Sequence, residues 1–279
     1  MITIHDLRGW KSEGTRWAML TAYDFPTAQI LDRAGVPVVL VGDSVGRNVL
    51  GYPNELPVTM DEMLHHTRAV RRGVKRALLV ADMPYGSFHL GEAQAVGNAI
   101  RFIKEAGAQA VKIEGARPEL VAAMVAAEVP VMAHLGLTPQ SVHRFGGFKV
   151  QGRGEEAREA LLENALAVEE AGAFSLVLEC VPADLAAEVS RRLTIPTIGI
   201  GAGAACDGQV LVFHDLLGLE ERIAPRFVRR YAELGLTARE AIEHYAADVR
   251  EGRFPAPEES YGEGKRPAHP ADDVKKLYG

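Results

Sequence analysis

VVLVGD, residues 38–43, is an apolar, β-branched run that ends in a glycine and an acid. Three further stretches repeat the design: LLVAD at 78–82, AVKIE at 110–114 and SLVLE at 175–179. Runs this apolar read as strands buried on both faces, the habit of a parallel sheet. The acids that end them, Asp43, Asp82, Glu114 and Glu179, are badly placed for packing. They are well placed to face a shared pocket, because parallel α/β sheets and barrels build their sites at the carboxyl ends of the strands. The arrangement points to an enzyme that holds a hard metal ion.

Working outward, eight β-rich runs are expected as strands: Ala18–Ala22, Val36–Gly42, Ala77–Ala81, Ala110–Ile113, Pro130–Ala133, Phe174–Leu178, Thr197–Ile200 and Val210–Phe213. Amphipathic helical patterns lie between them, at Thr59–Arg72, Glu92–Glu105, Pro118–Ala127, Glu155–Ala171 and Ala183–Arg192. Thr59 stands three residues ahead of Glu62, the spacing of a capping box, and Gly35, Gly107 and Gly172 stand where helices should stop. Strands alternating with helices imply βαβ units and a parallel sheet. An open doubly wound sheet binds its ligand at one switch point. Here chemically capable residues end at least five strands, so the pattern predicts a closed (β/α)8 TIM barrel. The glycine-rich stretch RFGGFKVQGRG, Arg144–Gly154, follows the fifth strand and is expected to be a mobile loop over the barrel mouth. One catalytic barrel domain is expected over residues 1–255. The proline-punctuated, charged segment 256–279 is expected to be an extended or poorly ordered tail.

A chain of 279 residues suits one such barrel. The net charge of −6 and the lack of a basic stripe argue against nucleic acid as a partner. The cluster Arg68, Arg71, Arg72, Lys75 and Arg76 reads instead as the wet face and carboxyl end of one helix. Two cysteines, Cys180 and Cys206, are too few for a disulfide framework and suit a reducing compartment. No signal pattern and no membrane-spanning apolar run is seen, so the expected protein is soluble and cytoplasmic.

Asp43, Asp82 and Glu114 offer only oxygen, the donor preferred by Mg²⁺, whereas zinc favours His or Cys. A single strand-end Asp could equally cap the next helix. Three acids at three strand ends would repel each other strongly without a cation. Lys112 is two residues from Glu114 on one strand, so both point to the same face. It is expected to pair with carboxylates or to hold an anionic substrate. His134, which ends the fifth strand in VMAHLGLTPQS, could donate to a bound carboxylate or keto oxygen, or sit as a core histidine. Glu179 has no cationic neighbour in sequence and is the candidate general base. GIGAGAACDG, residues 199–208, superficially looks like a nucleotide loop. It follows the seventh strand and runs straight into another strand, where a dinucleotide loop needs a helix.

These segments also carry a resemblance. GDSVG (42–46), ADMPYGSF (81–88), VKIEG (111–115), HLGLTPQS (134–141), GGFKVQGR (146–153), LVLECVP (176–182) and TIGIGAGAACDGQVLVFHDLLG (197–218) are similar, in order, to the successive signatures of the ketopantoate (3-methyl-2-oxobutanoate) hydroxymethyltransferase family. The resemblance implies a barrel of the phosphoenolpyruvate/pyruvate-binding type. It implies transfer of a hydroxymethyl group from 5,10-methylenetetrahydrofolate to 3-methyl-2-oxobutanoate, the first step toward pantothenate and coenzyme A, through a Mg-stabilised enolate. Mg²⁺ would be held by Asp43, Asp82 and Glu114. Asp43, Ser44, Asp82, Lys112 and His134 would surround the oxo acid, and Glu179 would be the base. Ser44 enters only through the resemblance. A homo-oligomer, a decamer, is implied as well. Two other readings compete: a Mg-dependent C–C lyase of a 2-oxo or 2-hydroxy acid on the same barrel, and a non-catalytic barrel that only binds an oxo acid. A binding module has no need of a base such as Glu179.

Overall fold

Eight strands pair in parallel and in chain order: β1 (Trp17–Thr21), β2 (Val38–Val41), β3 (Leu78–Asp82), β4 (Ala110–Glu114), β5 (Val131–Gly136), β6 (Ser175–Glu179), β7 (Thr197–Ile200) and β8 (Gly208–Leu211). β8 returns to β1, with Met19 opposite Val210, so the sheet closes into the expected barrel. The structure is a computed structural model that describes residues 1–220, 222 and 225–261.

The helices are α1 (Ile4–Glu13), α2 (Phe25–Arg33), α3 (Val45–Asn48), α4 (Met60–Gly73), α5 (Glu92–Ala106), α6 (Pro118–Ala126), α7 (Val142–Phe145), α8 (Glu155–Glu170), α9 (Ala183–Arg192), α10 (Phe213–Leu216) and α11 (Leu234–Arg250). α4 starts as its sequence dictates: Thr59 and Glu62 form a reciprocal capping box. α5 stops at Gly107 in the left-handed conformation, φ 73°. Strands and helices α1–α10 lie in one compact unit, Met1–Ala232; a second unit, Glu233–Gly279, holds α11. Residues 262–279, most of the expected tail, lie outside the described residues. Pro257–Glu259 forms a 3-10 turn.

Strand geometry sorts the core into two layers. Val39, Val41, Leu79, Ala81, Val111 and Ile113 face outward into the layer beneath the helices. Leu40, Leu78, Val80, Ala110, Met132 and Val177 face inward and fill the barrel. Each such side chain, fully buried, stabilises the fold by roughly 1.5–3 kcal/mol. Because side chains alternate with a period of two, the inward set continues toward the carboxyl ends as Asp82, Lys112, Glu114, His134 and Glu179. The same alternation that packs the barrel therefore aims the charged residues at its mouth. At the amino ends, α1 supplies Leu7, fully buried against the inner layer with Trp17 and Phe174. α1 and α11 carry no signal among the eight expected strand–helix units, and both are additions to them.

Only β7 keeps its expected bounds; the other strands shift at one or both ends, and two of the shifts bear on the site. β5 does not stop at Ala133 but runs to Gly136, so His134 lies inside the strand and pairs in register with Glu114. β8 starts at Gly208 and ends at Leu211, two residues earlier than expected. The reason is tertiary: Phe213 N donates to Thr21 Oγ1 at 3.0 Å, which turns the chain out of the sheet into α10. No helix among the described residues is long and apolar enough to cross a membrane.

Candidate active site

Asp43, Ser44, Asp82, Lys112, Glu114, His134 and Glu179 line one cavity of about 380 Å³ at the carboxyl ends of the strands. Register explains who meets whom. Asp82 of β3 lies opposite Lys112 of β4, and Glu114 of β4 lies opposite His134 of β5. Lys112 Nζ accordingly stands 2.9 Å from Asp82 Oδ1, 3.6 Å from Glu114 Oε1 and 3.3 Å from His134 Nδ1. His134 bridges onward, with Nδ1 3.5 Å from Glu114 Oε1 and Nε2 3.4 Å from Glu179 Oε2. Glu179 is the less enclosed end of this chain of contacts, its side chain 16% exposed against 3% for His134.

Asp43 follows β2 and joins the group through its backbone, whose N–H donates to Asp82 Oδ2 at 3.2 Å. Gln140 ties the acids together from the 3-10 turn Pro139–Ser141. Its Nε2 donates to Asp43 Oδ2 at 2.8 Å and to Met83 O at 3.0 Å, and its backbone N–H donates to Glu114 Oε2 at 3.0 Å. Ser44 Oγ is hydrogen-bonded to the fully buried Tyr23 hydroxyl at 2.8 Å.

Burial sets the electrostatics. Desolvation, then the charges of Asp82 and Glu114, push the Asp43 carboxyl well above the usual carboxylate range. Burial also raises Asp82, against the pull of Lys112. Burial opposes charge on Glu114 too, but the Lys112 ammonium and the His134 hydrogen bond outweigh it and hold this carboxyl low. Lys112 is kept protonated: its desolvation is overcome by Asp82, Glu114 and Asp43. His134 is raised despite burial and Lys112, because the Glu114 and Glu179 carboxylates lie close on either side of its ring. Three buried acids thus share one ammonium, an excess of negative charge in a desolvated place. Among the described residues no group of three or more His, Cys, Asp or Glu side chains stands at metal-binding spacing. Lys112 Nζ takes the space between Asp82 and Glu114.

The stretch 144–154 lies against this mouth: Phe148, Lys149 and Val150 line the cavity, and Arg47 sits 5.9 Å from the Phe148 ring centroid. Gln151 N donates to Cys180 O at 3.0 Å, joining the stretch to the residue after Glu179. Sequence reasoning missed Gln140, Tyr23 and the pair of half-buried Arg47 with buried Glu55, 3.3 Å apart. A glutamine, a tyrosine and a loop glutamate carry no periodic signal, and only Gln140 fell within a segment already singled out, HLGLTPQS.

A closed parallel barrel whose strand ends bring carboxylates, an ammonium and an imidazole into one cavity defines an α/β-barrel enzyme. Solved structures share the architecture at low identity. A phosphonopyruvate hydrolase complex with oxalate and Mg²⁺ aligns with TM-score 0.59 and 16% identity over 93% of each chain. A 2,3-dimethylmalate lyase of the PEP mutase/isocitrate lyase superfamily aligns with TM-score 0.58 and 15% identity over 92% of this chain and 93% of that one. At the sequence level the profile of ketopantoate hydroxymethyltransferase matches residues 1–257, and the chain belongs to that family. Proteins named 3-methyl-2-oxobutanoate hydroxymethyltransferase from Syntrophus aciditrophicus (strain SB) and Heliobacterium modesticaldum (strain ATCC 51547 / Ice1) are 55% and 50% identical to it. The first alignment covers 93% of this chain and 96% of the relative; the second covers 99% of both. The protein is a hydroxymethyltransferase.

Proposed function

We infer that the protein transfers a hydroxymethyl group from 5,10-methylenetetrahydrofolate to 3-methyl-2-oxobutanoate, giving 2-dehydropantoate, the first step of pantothenate synthesis. Family membership supports the substrate. The observation that carries the chemistry is the position of Glu179, on the His134 side of the cavity and away from the three buried acids. One end of the cavity can hold an anionic oxo acid and its counter-charges while the other works on the carbon beside the keto group.

Mg²⁺ suits the oxygen-only donors of the acid end. Asp43, Asp82 and Glu114 would hold it, and their excess negative charge is what a divalent cation relieves. Mg²⁺ commonly uses one or two carboxylates and completes its shell with water and substrate oxygens, so three converging acids are not required. When bound, it supplies Lewis-acid polarisation of the keto group and so acidifies the neighbouring C–H.

The chain's own residues do the rest. The Lys112 ammonium and the Ser44 hydroxyl, steadied by Tyr23, donate to the oxo acid, with Asp43, Asp82 and His134 around it. Glu179 removes the C3 proton as general base, and His134 Nε2, 3.4 Å from Glu179 Oε2, orients its carboxylate. The carbon nucleophile so formed attacks the one-carbon unit of the folate, and hydrolysis leaves the hydroxymethyl group and tetrahydrofolate. We assign the work to a homo-oligomer in the cytoplasm; light scattering reads the mass directly. A turnover assay with 3-methyl-2-oxobutanoate, Mg²⁺ and methylenetetrahydrofolate, each omitted in turn, tests the reading. Product should require all three. C–C cleavage of an oxo or hydroxy acid without folate would favour the lyase instead.

A further inference from the structure

The cavity has a second chemical character. Its depth is made by strand residues, whereas at its rim, beyond the strand ends, its lining includes an apolar group, Phe148, Val212, Pro225 and Phe227, together with Asp215 and the cationic Arg47 and Lys149. The four apolar members, two of them aromatic, offer area to a flat ring. Asp215 is half-buried in the short helix α10, whose start is pinned by the Phe213–Thr21 bond and whose end is pinned by Tyr231 N donating to Leu216 O at 2.8 Å. The backbone that carries the Asp215 carboxylate is thus held on both sides. Among the described residues no hydrogen bond or ion pair engages that carboxylate. Burial raises it, while Arg47 and Arg230 favour its charge from a distance.

A partly desolvated, unpaired acid beside apolar walls repels an anionic oxo acid and suits a flat ring with donors on one edge. A reduced pterin is such a ring: its N3–H and 2-amino group present two parallel donors, and a carboxylate presents two acceptors. Resting on the hydroxymethyl-transfer reading above, we propose that the rim is the subsite for the pterin ring of the folate donor. Asp215 accepts from N3–H and the 2-amino group, and Phe148 and Phe227 supply apolar area to the ring. The one-carbon unit is thereby delivered above the oxo acid held in the depth of the cavity.

The test is calorimetric titration of tetrahydrofolate into protein saturated with 3-methyl-2-oxobutanoate and Mg²⁺. Asp215→Asn should weaken binding about 10- to 100-fold, the range expected for a charge-assisted pair. A 2-desamino-2-methyl analogue of tetrahydrofolate should lose a similar factor on the wild-type protein and little further on the variant, because both changes remove one contact. Equal affinity of variant and wild type for tetrahydrofolate, or losses that simply multiply, would overturn the subsite. The analogue arm on wild-type protein holds even if the variant folds poorly: undiminished analogue binding there is also fatal. Exchange of the oxo acid's C3 proton with deuterated solvent, on wild-type protein without folate, separates the two levels. Absent exchange brings down the functional reading and this inference with it. Exchange together with undiminished folate affinity in the variant brings down the subsite alone.

Discussion

His134 Nε2 lies 3.4 Å from Glu179 Oε2, while the same ring's Nδ1 lies 3.5 Å from Glu114 Oε1. One imidazole thus spans the distance between a carboxylate of the acid cluster and the candidate base. It holds both in one frame set by β4, β5 and β6, so their spacing depends on strand register and not on a loop.

The first prediction concerns the base. Glu179→Gln keeps the shape and removes the basic oxygen, so oxo acid affinity should stand while kcat falls. The expected loss is roughly 10²- to 10⁴-fold, the usual contribution of general-base catalysis. Deuterium exchange at C3 isolates the step without folate. Exchange at the wild-type rate would move the role to another residue, with His134 first in line.

Lys112 is the cation that three buried acids share. Lys112→Met should therefore destabilise the metal-free protein by about 3–5 kcal/mol, the cost of leaving buried charge uncompensated. Urea unfolding in chelator measures it. Adding Mg²⁺ should recover part of the loss, because a second cation then serves the same carboxylates. A loss that Mg²⁺ leaves untouched would count against the acid cluster as the metal site.

Gly136 ends β5 at φ 94°, and a Cβ there would run into the backbone oxygen of Glu179 and into Val181. Gly136→Ala meets both backbone strain and a clash, each costing about 1–3 kcal/mol. Thermal unfolding should show the loss. Since β5 must move from β6 to accept the methyl group, C3 exchange should drop as well. A variant of wild-type stability would show that β6 yields freely at this point.

Asp32 offers a pH test away from the site. It is buried, and its Oδ1 accepts from the backbone N–H groups of Lys75, Arg76 and Ala77 at 3.0, 2.8 and 3.1 Å. Burial raises this carboxyl, but the three N–H bonds and Arg76 outweigh it and leave its pKa lowered. The folded value therefore lies below the unfolded one, about 3.9. The stabilisation is complete above the unfolded value and is lost as pH falls through the folded one. Asp32→Asn should cost about 1–2 kcal/mol at neutral pH, and the gap to wild type should close in acid. A gap that stays constant across the acid range would rule out the charge as its source.

The barrel and most of the site's members were legible in the chain because both rest on local patterns. Strand runs such as Val38–Val41 and capping pairs such as Thr59 with Glu62 involve only near neighbours. Lys112 and Glu114 share a face by the two-residue period alone. Who meets whom was decided by closure of the barrel. Only register puts Lys112 beside Asp82 and His134 beside Glu114. Only the folded chain lets Gln140 join Glu114, 26 residues away, to Asp43, 97 residues away. The early end of β8 and the rim position of Asp215 follow from Phe213 bonding to Thr21 across 192 residues. Periodicity says which face of a strand a side chain occupies. The partner across the barrel is chosen by hydrogen bonds and packing between segments whose separation leaves no trace in local sequence.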